Sequence, residues 1–193
     1  MRTRLSVRNI ARLTGCLPLL LTLSAGAVNV TFDGELLDRP CQIDSGSLNQ
    51  IVEFLERPAK DFQYAPGRGP AESFSIRLVQ CNTNTIWKTV KLRFSGETEV
   101  AMKEQSGYFL KVKGTGGGDN TGKLAIGILD TDGTTLMKLG EAYHNHGKGT
   151  PVDRDTLQFN FKAYVQATPD ALAQKSVRPG SYASTANFEL FYE

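Results

Sequence analysis

Short runs in which every second residue is apolar fill most of this chain. In SFSIRLVQC the apolar positions are Phe74, Ile76 and Leu78, in TVKLRFSG Val90, Leu92 and Phe94, and in TLQFNFKAYVQA Leu157, Phe159 and Phe161 before Val165. A period of two places alternate side chains on one face of a strand, so each run predicts a half-buried strand. IVEFL, with Val52 and Phe54, predicts another. YFLKVKG alternates less cleanly around Phe109. KLAIGILD is almost wholly apolar and fits a strand buried on both faces. The last run is YASTANFELFYE. Turn residues separate the runs: Pro66-Gly67, the glycines from Gly114 to Gly118, Asp132-Gly133, residues 147–151, and Pro179-Gly180. One or two helical turns are expected over Thr168 to Lys175, with Thr168 as cap and Pro169 at the first helical position. Six or seven strands and regular turns predict an all-β domain built as an immunoglobulin-like sandwich.

The first 27 residues stand apart. Arg2, Arg4, Arg8 and Arg12 form a basic start, Leu13 to Leu23 is mostly apolar, and Ala25-Gly26-Ala27 supplies small residues. That is the order of a secretory signal peptide, with cleavage expected after Ala27. The apolar run is short of the ~20 residues a bilayer span needs. A lipoprotein box at Leu13-Thr14-Gly15-Cys16 is the alternative, but the apolar run follows Cys16 instead of preceding it. Removing four arginines turns the formal charge from +2 to −2, so the basicity belongs to the leader and gives no support for nucleic acid. The remainder, Val28 to Glu193, has the length of one domain with a full core and holds no candidate membrane span. It keeps Cys41 and Cys81, an even pair that in an exported chain reads as a disulfide. Closing a loop of that length stabilises by roughly 4 kcal/mol in the chain-entropy account.

The two ends of this domain pose one problem. In ANFELFYE, Ala186, Phe188, Leu190 and Tyr192 share a face, and no turn or partner strand follows. A core strand ending a sandwich in this way leaves a free backbone edge and an apolar groove, which invites aggregation. The opposite end supplies a matching element. Val28, Val30, Phe32, Gly34 and Leu36 alternate along a stretch ahead of Cys41, and can fill successive pockets from one face. Entering the groove of another molecule, this arm would complete its sheet by strand addition. Such head-to-tail contact does not close and generates a linear polymer. The bland reading is that residues 28–36 form an ordinary first strand of their own domain.

With these features on view, the mature sequence resembles the subunits of chaperone–usher pili. The resemblance rests on the alternating arm leading into LLDRPCQI, a second Cys about 40 residues on, Gly180 fourteenth from the C-terminus, and Tyr192 penultimate. Within that family, FDGELLDRPCQI, DFQYAPGRGPAESFSIRL, GILDTDG and AYVQATPDALAQKSVRPGSYASTANFEL look most like the tip adaptor subunit of P pili. The resemblance implies a sandwich lacking its seventh strand, with residues 28–37 as donor extension and 38–193 as pilin domain. It implies that a periplasmic chaperone lends a strand until the next subunit's arm replaces it at an outer-membrane usher. The acceptor groove would involve Gly180, Ala186, Phe188, Leu190 and Tyr192, with the Glu193 carboxylate held by basic residues of the chaperone. An adaptor would join the tip fibrillum to another pilus element at the cell surface and would not bind the host receptor itself.

Other chemistries are thinly represented. His144 and His146 form H-x-H without an evident third metal ligand. Asp130-Thr131-Asp132-Gly133 lacks the later ligands of a calcium loop and reads as a hairpin turn. GTGGGDNTGK is not a phosphate-binding loop in a strand-to-helix setting. Asn29-Val30-Thr31 is a glycosylation sequon on paper only. Trp87 and Tyr143 are candidate surface anchors, for which packing is the ordinary explanation. By itself, Gly180 after Pro179 reads as a turn glycine. No cofactor or paired catalytic constellation is called for. The competing functions are a chain terminator or other minor pilin, a carbohydrate-binding adhesin, for which no receptor domain precedes the arm, and a secreted enzyme on a sandwich scaffold.

Overall fold

A computed structural model describes residues 39–142 and 144–193. The arm positions Val28, Val30, Phe32, Gly34 and Leu36, the leader, and Tyr143 lie outside the described residues.

The longest strands form where the period-two runs stand. Strand β2 (Glu72–Val79) pairs antiparallel with β8 (Leu157–Ala167), setting Phe74 opposite Phe161 and Ile76 opposite Phe159. β8 pairs on its other side with β6 (Leu124–Leu129), and β6 with β4 (Phe109–Lys111). The short β1 (Gln42–Ile43) adds to β2, completing a five-stranded sheet in the order β1-β2-β8-β6-β4. The facing sheet has β3 (Thr89–Ser95) at its centre, between β10 (Asn187–Tyr192) and the two-residue β7 (Thr150–Pro151). A small third sheet pairs β5 (Lys113–Gly117) with β9 (Gly180–Ala183).

Aromatic rings hold the two large sheets together. Phe94 of β3 meets Phe74 of β2 and Phe161 of β8 edge-on, at centroid separations of 6.0 and 5.1 Å. Edge-to-face contacts of this kind add about 0.5–1.5 kcal/mol each beyond the area they bury. Around them Ile76, Leu78, Val90, Leu92, Ile126 and Ile128 complete the core. A second, smaller cluster lies on the outer face of the five-stranded sheet, where Met102 from the 3-10 stretch Val100–Tyr108 covers Phe109, Ala125, Leu129 and Tyr164. This explains why all six residues of β6 are buried, as an all-apolar strand requires. It also explains why β8 alternates only as far as Lys162 and is then mostly buried on both faces. Gly127 of β6 is required by that packing, since a Cβ there would come within 2.9 Å of both Leu136 and Tyr164.

The disulfide joins Cys41, just before β1, to Cys81, just past β2, as the cysteine pair suggested. A short helix (Pro169–Ala173) forms where expected, with the Thr168 hydroxyl accepting from Ala171 N–H. Asp130–Gly133 forms the expected tight turn, closed by Gly133 N–H to the Asp130 carbonyl.

Four expectations are corrected. The glycines from Gly114 to Gly117, expected in a turn, lie in β5, where they pair backbone to backbone with β9. The IVEFL run joins no sheet among the described residues, to none of which residues 51–57 make a backbone hydrogen bond. The run YASTANFELFYE is two strands, not one, broken at residues 184–186. Gly180 accordingly begins β9 and is no turn glycine. Its missing Cβ lets the backbone of Gly116 and Gly118 approach to 2.6 Å of the Cβ position, so the β5–β9 sheet closes backbone on backbone.

Candidate functional site

A cavity of about 1400 Å³ opens between the two sheets. Its floor is the apolar core itself: Phe74 and Ile76 of β2, Ala163 of β8, Leu124, Ile126 and Ile128 of β6, Leu110 of β4 and Phe94 of β3. One wall is the segment 50–60, which ends in a 3-10 turn begun at Ala59. The other runs from Arg178 through β9 to Ala186 and Phe188 at the start of β10. A complete sandwich would close this gap with a strand.

β10 borders the gap as an edge. It pairs with β3 from Asn187 opposite Ser95 to Tyr192 opposite Val90, and no described strand pairs with its other side. Its two faces divide as its sequence alternates. Phe188, Leu190 and Tyr192 are half-buried against the core, and Phe94 and Phe188 approach with ring centroids 6.4 Å apart. On the opposite face Glu189 pairs with Arg93, whose guanidinium lies 4.4 Å from the Phe191 ring centre. Burial raises the Tyr192 phenol above its usual range. Glu193 is held within the chain: its backbone carbonyl accepts from Lys88 and Thr89 N–H, and its side chain meets Lys91 Nζ at 2.7 Å.

The expected acceptor residues are thus placed unequally. Gly180, Ala186 and Phe188 line the cavity, whereas Leu190 and Tyr192 continue the same edge beyond it. The floor residues from β4, β6 and β8 were not singled out in the sequence, because an interior position exposed by a missing strand has the same pattern as any core position. Phe54 and Tyr182 were also missed; their rings meet across the cavity with centroids 6.4 Å apart.

A second group of residues becomes legible only in three dimensions. The Asp130 turn and the H-x-H motif, far apart in purpose when read in sequence, form one buried cluster. His144, 1% exposed, places Nδ1 2.7 Å from Asp130 Oδ1 and Nε2 2.8 Å from Thr150 Oγ1. Asp130 also accepts from the backbone N–H of Thr131 and Asn145. Burial would raise the Asp130 carboxyl, but the hydrogen bond from His144, those from the two amides and the His144 charge outweigh it and leave it below its usual range. The imidazole also packs edge-on against Phe159 and Phe161. His146 remains outside, 61% exposed and 3.7 Å from Asp132. The cluster pins the loop between β6 and β7 onto the core.

Comparison with known proteins gives the setting for these features. Residues 30–193 match the fimbrial protein family. The chain belongs to that family. This fimbrial protein is 50% identical over 182 residues to Protein PrsK of Escherichia coli, covering 93% of this chain and 97% of that one. It is 48% identical, with the same coverage, to Fimbrial adapter PapK of Escherichia coli. Among solved structures, a chaperone–usher pilus superposes with a TM-score of 0.63 at 23% identity, over 89% of this chain and 99% of that one. The P pilus rod subunit PapA superposes with a TM-score of 0.57 at 23% identity, over 80% of this chain and all of that one. The fimbrial protein's fold is therefore that of these pilins, an incomplete immunoglobulin-like sandwich. Among its described residues no helix is long and apolar enough to cross a membrane.

Proposed function

We propose that this chain is a structural adaptor subunit of a pilus tip, assembled at the cell surface by strand donation after export through the periplasm. The observation carrying this reading is the edge of β10 beside an apolar cavity of about 1400 Å³. An exported monomer with that edge left open would aggregate, so it must be covered by another molecule. An extended segment with apolar residues at alternate positions fits, because the backbone ladder along β10 gives affinity and the floor gives selectivity. Residues 28–37 are such a segment in sequence, and their role is to complete the preceding subunit. Before assembly a periplasmic chaperone covers the groove, and release occurs at an outer-membrane usher. The groove residues are Gly180, Ala186, Phe188, Leu190 and Tyr192, with Glu193 at the chaperone contact. The adaptor position is supported by the near full-length likeness to Fimbrial adapter PapK.

Deleting Val28 to Leu36 tests the donor role. The truncated subunit should still be recovered from the periplasm with a partner in its groove, yet fail to add to the preceding subunit. Incorporation of the truncated form into fibres would refute donation by this arm. N-terminal sequencing of the exported protein should begin at Val28.

A further inference from the structure

Asp130, His144 and Thr150 stand in the hydrogen-bond order of an orienting group, a base and a nucleophile. Asp130 Oδ1 lies 2.7 Å from His144 Nδ1, and Thr150 Oγ1 lies 2.8 Å from His144 Nε2. A carboxylate only accepts, so the Nδ1 proton faces Asp130. In the neutral ring Nε2 then presents its lone pair to the Thr150 hydroxyl. That tautomer is the one in which an imidazole takes a proton from a hydroxyl. Asp130 is in turn fixed by the Thr131 and Asn145 amides.

The carbonyl beside the hydroxyl is prepared as well. Thr150 follows Gly149, whose carbonyl oxygen accepts from Asn145 Nδ2 at 2.8 Å. Negative charge developing on that oxygen meets a donor already in place. Asn145 holds this position at a φ of 52°, and His146 follows at 53°, in the left-handed region that side chains disfavour. Gly149 has a φ of 72°, and a Cβ there would lie 2.9 Å from the Val90 carbonyl oxygen. The peptide ahead of Thr150 is thus pressed against β3. The Thr150 hydroxyl is tethered to the Gly149 carbonyl through its own Cβ, Cα and nitrogen, so attack closes a small ring and no second molecule has to be positioned. His144 is 1% exposed, whereas Thr150 is half-buried and within reach of water.

We infer that the chain cuts its own backbone between Gly149 and Thr150 by an N-to-O acyl shift. Thr150 Oγ1 adds to the Gly149 carbonyl carbon and gives its proton to His144 Nε2. Asn145 Nδ2 holds the resulting oxyanion. The C–N bond breaks as the imidazolium passes the proton to the Thr150 nitrogen, leaving Gly149 joined to Thr150 as an ester beside a free amine. Water hydrolyses the ester to the Gly149 carboxylate and the Thr150 hydroxyl, and nothing else is consumed. Thr150 is the nucleophile, His144 the base, and Asp130 a positioning residue that acts through His144. The reaction needs neither the groove nor a donor strand. The fragment released, residues 150–193, carries β8, β9 and β10, and the Cys41–Cys81 disulfide does not tie it to the rest. It stays in place through the pairing of β8 with β2 and β6 and of β10 with β3.

The test is mass spectrometry of the exported subunit, recovered from the periplasm with its groove filled. The protein is incubated at neutral pH with or without hydroxylamine, which captures an ester as the Gly149 hydroxamate, and is then denatured. Wild type should yield a fragment beginning at Thr150, and yield it faster with hydroxylamine. Thr150→Ser keeps a hydroxyl and should still be cut, whereas Thr150→Val keeps the shape alone and should stay whole. His144→Ala should slow the cut by about 10²–10⁴-fold and Asn145→Ala by about 10²–10³-fold. Added imidazole should restore part of the rate in His144→Ala; no restoration would make His144 structural and overturn its role as base. Asp130→Asn should slow the cut made with His144 but leave the imidazole-restored rate unchanged. A wild-type chain that stays whole under both conditions, or a cut that persists in Thr150→Val, overturns the proposal.

Discussion

Asp130→Ala should destabilise the folded subunit by about 3 kcal/mol, although Asp130 touches neither the groove nor β10. The side chain is 2% exposed and accepts hydrogen bonds from His144 Nδ1 at 2.7 Å, Thr131 N at 2.7 Å and Asn145 N at 2.8 Å. A buried donor left without a partner costs roughly 1–3 kcal/mol. His144 bears the full cost, being 1% exposed with Phe159 and Phe161 against its ring. Thr131 and Asn145 are exposed residues whose amides can recover water, so they add less. For a domain of this size each kcal/mol lowers Tm by roughly 2–4 °C, which gives roughly 6–12 °C in all. The assay is thermal unfolding with the groove filled, so that the β10 edge does not aggregate. Repeating it with His144→Ala and the double variant should show a coupling above about 0.5 kcal/mol, as expected for residues in direct contact. The pH dependence has a definite sign. Asp130 is depressed in the folded state, so its contribution is complete above the unfolded value, about 3.9, and is lost as pH falls through the folded value. Wild type and variant should therefore converge in acid. A Tm shift under about 2 °C at neutral pH, or a gap that widens on acidification, would refute the reasoning.

The remaining predictions concern the groove. Gly180→Ala sets a Cβ 2.6 Å from the Gly116 carbonyl and the Gly118 amide, backbone atoms that cannot rotate away. Its cost, about 1–3 kcal/mol by analogy with overpacked sites, should be confined to β5 and β9 and seen as faster amide exchange there; unchanged protection of both strands would show that β5 shifts without penalty. Leu190→Asp places a charge on the half-buried face of β10, opposite Leu92. Forcing it into an apolar lining costs several kcal/mol, so yield of the periplasmic complex should collapse, and normal yield would remove Leu190 from the groove.

Several features were legible in the sequence because they depend on neighbours a few residues apart. The strands β2, β3 and β8, the two-sided burial of β6, the Thr168 cap and the Asp130–Gly133 turn follow from local periodicity and turn chemistry. So does the division of β10 into an inward Phe188, Leu190, Tyr192 face and an outward Glu189, Phe191 face. The cysteine pair was likewise visible from its count and setting.

What the tertiary structure alone decided are matters of distance between segments remote in the chain. IVEFL has the alternation of a strand, but alternation records faces and not partners, and no strand among the described residues meets its backbone. Gly180 follows Pro179 like a turn residue; its need for hydrogen at the Cβ position comes from residues 116 and 118 across a sheet. Asp130, His144 and Thr150 carry no shared signal until the fold buries them together. The cavity floor is the clearest case: Leu110, Ile126 and Ala163 have ordinary core patterns, and only the lack of a strand above them among the described residues leaves part of a core open as a cavity. Periodicity specifies which side of each strand avoids water, while the contacts between sheets determine which of those sides remain uncovered.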